Sequence, residues 1–164
     1  IRFRRSTVTP EQDADYMAAV NRGNMAEAQR MVDERLTSTG YNVGPVYRGD
    51  KTKGVNRING NRDGFGWFTE NPAYAKATAG GGDFRTFRLR AVNMLDLTED
   101  DGNPFVYDWA DTFKHPDHDP STMGKAVYDG ELFTLGGWQA QDSLLRFAKA
   151  RGYDAVRFNI NEDN

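Results

Sequence analysis

The chain has 164 residues, a net charge of −3 from 21 basic and 24 acidic side chains, and no cysteine. That length suits one domain and lets the chain bury roughly two thirds of its unfolded surface without a staple. The composition excludes disulfide frameworks, zinc–thiolate sites and cysteine nucleophiles, and the charge is not that of a protein that coats nucleic acid.

No apolar run approaches the ~18 residues of a membrane span, so no membrane partner is expected. The opening Ile1-Arg2-Phe3-Arg4-Arg5-Ser6 has charge but no apolar stretch behind it, so it does not read as a signal peptide. The chain starts at Ile1 rather than Met, which reads as a processed product or a piece of something longer.

Thr9-Pro10-Glu11-Gln12 starts a helix: a Thr cap, Pro at the first helical position and Gln three residues after the cap. This helix is expected to run to about Arg22 and to break at Gly23-Asn24. A second helix carries Met25, Ala28, Met31, Val32 and Leu36 on one stripe and closes at Gly40. The hairpin, residues 1–42, reads as a packing and capping unit on the core, and residues 43–164 as the body of the domain. Val43 to Tyr47 reads as a short buried strand. Residues 49–65 form a loop with Lys51, Lys53, Arg57 and Arg62 against Asp50 and Asp63. Loops of this length in a compact domain are usually functional or disordered.

Gly66 to Thr69 reads as a second strand, and Asn71-Pro72 opens a helix that Gly80-Gly81-Gly82 ends. Phe84 to Ala91 is expected to be a half-exposed strand, and Met94 to Leu97 a short strand or turn. The stretch 96–119 holds eight Asp or Glu against one Lys and reads as an irregular surface excursion with a short helix near 105–113. Trp138 to Arg151 is expected to be a helix capped by Gly152, and Tyr153 to Ile160 a final strand. Short strands with helices between them make an α+β pattern.

Several motifs are absent. The glycines do not form the G-x-G-x-x-G of a dinucleotide-binding turn, and there is no P-loop and no G-x-S-x-G elbow. His115-Pro116-Asp117-His118-Asp119 matches no zinc-ligand spacing and reads as a solvated loop.

Three segments, taken in order, carry a likeness. The first is Val46-Tyr47-Arg48-Gly49. The second is Gly66-Trp67-Phe68-Thr69-Glu70-Asn71-Pro72-Ala73-Tyr74-Ala75-Lys76-Ala77. The third runs from Gly137-Trp138 to Leu145 and resumes at Gly152-Tyr153-Asp154-Ala155-Val156-Arg157-Phe158. Together they resemble the ADP-ribosyltransferase superfamily, and most of all the small domains of phage polyvalent proteins and related phage-encoded transferases.

That resemblance implies a split β-sandwich of short strands with helices, preceded by the helical hairpin. It implies NAD as co-substrate, release of nicotinamide, and transfer of ADP-ribose to a side chain of a host or target protein. It also implies a cytoplasmic site of action in a host cell, with the domain delivered as part of a larger phage or mobile-element polyprotein. Simple NAD glycohydrolysis by the same pocket, and a catalytically idle protein-binding module of the same shape, are the competing readings.

Cleaving the nicotinamide–ribose bond makes an oxocarbenium-like ribose, as in sugar hydrolysis. A site for it must hold the amide, cover the ring, balance the phosphates and place a carboxylate by the ribose. Tyr47, Arg48 and Gly49 are the first candidates. The Arg48 guanidinium suits phosphate or ribose oxygens, and its ordinary alternative is an ion pair with a local carboxylate. Gly49 would let backbone N–H and C=O approach the amide closely, or is simply a turn glycine. Thr69 is expected to support the acid or the ribose, and Tyr74 to lay its ring against nicotinamide or to sit in the core. Phe68 and Trp67 alternate along the segment, so one faces the pocket and the other the core. The carboxylate is expected to be Glu162, with Asp163 beside it, or Glu131 in the loop before the last helix; Asp142 is a further candidate. The family continues with one more strand after the "GYDGV"-like segment, whereas this chain ends at Asn164.

Overall fold

The computed structural model describes residues 8–54, 65–100 and 103–161. The described residues form helices α1 (Pro10–Asn21), α2 (Met25–Ser38), α3 (Pro72–Ala79), α4 (Phe105–Phe113), α5 (Pro120–Tyr128) and α6 (Leu132–Ala150). The strands are β1 (Val43–Asp50), β2 (Asp83–Leu89), β3 (Met94–Leu97) and β4 (Ala155–Phe158). The chain is therefore α+β, with one antiparallel sheet, β1–β2, and one parallel sheet, β3–β4. Among the described residues, no helix is long and apolar enough to cross a membrane.

Local chemistry explains most of the helix ends. The Thr9 hydroxyl accepts from the Gln12 N–H at 3.3 Å and the Gln12 side chain accepts from the Thr9 N–H at 3.1 Å, a complete capping box. Asn71 caps α3 by accepting from the N–H groups of Ala73 and Tyr74. Asp119 caps α5 in the same manner through Thr122. That helix is absent from the expectation, because glycines at 124, 130, 136 and 137 weaken the helical signal of the strip. Gly124 is required by packing: a Cβ there would sit 2.6 Å from the Tyr107 ring.

Two other expectations need correcting. The final helix starts at Leu132 rather than Trp138, with an interruption at Gly137 (φ 59°, ψ −165°). Residues 66–69 do not form a strand. Only Thr69 bridges β1, through Tyr47. The rings on either side of the chain pull it out of the ladder: Trp67 packs on Trp138 and Phe158 with centroids 6.1 and 6.0 Å away, and Phe68 on Phe87 at 5.3 Å.

The apolar core is asymmetric. Its buried cluster draws on β3, α4, α5 and α6, around fully buried Trp109, Leu97, Met123, Leu132 and Leu144. The buried apolar residues of α1, α2, β1 and α3 are Ala19, Ala28, Val46, Ala75 and Ala79. The hairpin is tied to β2 and its end by polar contacts: Arg88 to Asp33 at 2.5 Å, and Asn42, whose amide brackets the Ala91 backbone at 2.8 and 2.9 Å.

Candidate functional site

Side-chain alternation along β1 sorts the candidates onto two faces. Val46, Arg48 and Asp50 share a face with Arg85 and Phe87; Tyr47 and Gly49 share the other with Phe84. Helix α3 covers the second face. A Cβ on Gly49 would lie 2.0 Å from the Ala75 carbonyl oxygen and 2.7 Å from the Ala79 nitrogen, so only glycine lets α3 lie this close. Lys76 reaches over Phe84 at 5.2 Å, and Tyr47 stacks on Phe84 at 5.7 Å.

The structure thus brings Tyr47, Gly49, Thr69 and Tyr74 to one side of β1 and puts Arg48 and Phe68 on the other. Tyr74, on the first turn of α3, is 40 % exposed, so its ring is not a core aromatic. The Thr69 hydroxyl is engaged locally, accepting from the Asn71 N–H at 3.0 Å where the chain turns into α3. Of the two neighbouring rings, neither is solvent-facing alone: Phe68 packs across the sheet on Phe87, and Trp67 joins the aromatic cluster of Trp138 and Phe158.

The edge of β1 opens at Gly49. The Tyr47 N–H donates to the Thr69 carbonyl at 2.7 Å, and the Thr69 N–H donates to the Tyr47 carbonyl at 2.9 Å. Backbone groups alternate sides along an antiparallel strand, so those of Gly49 point the same way as those of Tyr47. Continuing the register would set Gly49 opposite Trp67, but the two segments part there. Among the described residues, the Gly49 N–H and C=O have no backbone partner on that edge. A donor and an acceptor side by side at the mouth of a wedge fit a carboxamide, which offers the complementary pair.

Arg48 takes the ion pair that was its alternative. Its Nε donates to Asp50 at 2.9 Å, and Arg85, which the sequence reading passes over, donates to the other Asp50 oxygen at 2.8 Å. Burial pushes the Asp50 carboxyl up, but the hydrogen bonds from Arg85 and Arg48 outweigh it and hold it below the usual carboxylate range. The register sets Asp83 opposite Asp50 on the same face, so two guanidinium groups here stand among two carboxylates.

Of the basic loop, Lys51 and Lys53 are exposed; Arg57, Arg62 and Asp63 lie outside the described residues. So do Glu162 and Asp163. Glu131 is exposed at the start of α6 and makes no side-chain capping bond. The backbone next to it meets the end of the described chain, with the Asn161 N–H donating to the Gly130 carbonyl at 2.9 Å. Asp142 is half-buried on α6.

A carboxylate the sequence reading does not single out is Glu70, directly after Thr69. Arg157 of β4 donates to it at 3.0 Å and to Asp96 of β3 at 3.4 Å, which ties the wedge to the second sheet. Asp96 also accepts from the Thr98 hydroxyl and N–H, first among the causes that hold it below the usual range. The imidazoles of His115 and His118 stack at 4.7 Å, and among the described residues no three His, Asp or Glu converge as metal ligands.

No family model matches the chain, and neither the curated proteins nor the solved structures contain a significant match to it.

Proposed function

We propose that the chain binds NAD at the wedge between β1 and residues 66–69 and transfers its ADP-ribose to a protein side chain, releasing nicotinamide. The observation that carries this reading is the open edge at Gly49: a backbone N–H and C=O presented together, with the exposed Tyr74 ring on the helix that lies against the same glycine. The amide of nicotinamide would exchange two hydrogen bonds with Gly49 while Tyr74 covers the ring. In a split-sandwich transferase of the resembling family, the two small sheets would be the two halves of the sandwich.

The reaction also needs a negative charge at the ribose, where positive charge develops. Glu162, Glu131 and Glu70 are the three acids to test. Incubation with NAD labelled in the adenine half and a cell lysate is expected to put label on protein. Free ADP-ribose alone would mean glycohydrolysis, and no nicotinamide release under any condition would sink both. Among Glu162→Gln, Glu131→Gln and Glu70→Gln, the variant that loses roughly a hundredfold or more in turnover with unchanged NAD affinity identifies the acid.

A second reading, an idle module that binds a protein partner, is favoured by one observation: the Arg48 Nε is already spent on Asp50. Tyr74→Ala separates the two. NAD affinity should fall about tenfold if the ring covers nicotinamide. Calorimetry showing no NAD binding in the unaltered protein would leave only the idle module.

A further inference from the structure

Two large rings of the aromatic cluster beside the wedge are left open to solvent. Trp138 is 61 % exposed and Phe133 44 % exposed. Tryptophan carries the largest apolar area of any side chain, and leaving it in water forgoes its burial. It is held in place, however. Trp67 meets it edge-on at 6.1 Å and 73°, and Phe133 at 4.9 Å and 70°, so two perpendicular rings brace it while much of its surface stays open.

Two glycines shape the backbone just before Trp138. Gly137 sits at φ 59°, ψ −165°, a region essentially closed to other residues, and this is what interrupts α6 just before Trp138. Gly136 has no room for a side chain, since a Cβ would be 2.3 Å from that of Ala140.

The cluster is continuous with the wedge. Trp67 is the residue that the register would set opposite Gly49, and the same residue braces Trp138. Trp67 is thus the one residue between the Gly49 edge and the Trp138 ring, which it meets at 6.1 Å.

We infer that Trp138, with Phe133 beside it, is a stacking site for the purine ring of an adenine nucleotide. It would take the second ring of the dinucleotide whose amide end sits at Gly49. This rests on the dinucleotide reading, but the site can be tested apart from it, because AMP carries the purine and not the nicotinamide. Saturation-transfer NMR of the whole chain with AMP alone and with nicotinamide alone, followed by calorimetry with AMP, reads the two ends separately. AMP should bind, and Trp138→Leu should weaken it about tenfold or more, as the loss of one base–aromatic stack does. Nicotinamide contact and the far-ultraviolet circular dichroism should not change. Phe133→Leu should give a smaller loss in the same direction.

AMP bound equally by Trp138→Leu, or AMP not bound at all while nicotinamide is, overturns the stacking site and leaves the NAD reading standing. AMP bound through Trp138 while nicotinamide makes no contact supports the stacking site and removes the NAD reading. A concentration-dependent dimer that Trp138→Leu abolishes, with no AMP binding, overturns it too and assigns the rings to a second copy of the chain.

Discussion

Gly49 and Asp50 are neighbours with opposite demands. Gly49 must have no side chain, because α3 lies against it. Asp50 needs its side chain, because it holds two arginines on the other face. Asp50→Asn keeps the shape but removes the anion from between Arg48 and Arg85, and at pH 7 a loss of about 2 kcal/mol is expected. The pH dependence follows from the direction of the shift. The folded carboxyl titrates below its ordinary value of about 3.9, so its contribution is complete above that value and is lost as pH falls through the lower folded value. Urea melts of both proteins should therefore differ at pH 7 and converge between roughly pH 4 and 2. A gap of the same size at pH 2 would show that the ion network is not its source. At this scale the sequence narrowed Arg48 to two roles and left both open. The carboxylate that decides between them was two residues away, but nothing local says that Arg85 will close on its other side.

Elements were readable where their ends are made by neighbours in sequence. Thr9-Pro10 and Asn71-Pro72 mark α1 and α3 because cap and capped group lie within three residues of each other. The strand expected over Gly66–Thr69 failed for the opposite reason: its rings are claimed by Trp138, Phe158 and Phe87, all distant in the chain. The start of α6 was misplaced because Gly136-Gly137 looks like a helix boundary and is instead a kink between two helical pieces. Gly137→Ala tests that kink. The backbone there suits only glycine, so the variant should lose about 1–3 kcal/mol, and the exposed Trp138 should shift its fluorescence emission. Unchanged thermal stability would mean that the kink relaxes without penalty.

Across the whole molecule, large apolar side chains are concentrated in β3, α4, α5 and α6, while α1, α2, β1 and α3 bury mainly alanines. This unevenness was not visible in the sequence, which shows amphipathic stripes but not which of them meet. The pairing of Glu70 with Arg157, 87 residues apart, was out of reach for the same reason. Backbone amides of α4, α5 and the second piece of α6 should exchange with solvent only on global unfolding. Those of β1, β2 and α3 should exchange through a smaller opening at lower free energy. Hydrogen exchange in native buffer checks this, and uniform protection across both groups would contradict it.

The alanine-lined contact between α3 and β1 has a consequence for how this region would respond to a ligand. With little fully buried apolar surface of its own, it would gain a large share of cohesion from a compound bound in the wedge. By mass action, a compound that binds only the closed form stabilises that form by RT ln(1 + [L]/Kd). Where the starting stability is small, the same increment changes the open population most visibly. Occupancy at Gly49 would then be reported by the rigidity of α3, long before any change reaches the tryptophan-centred core.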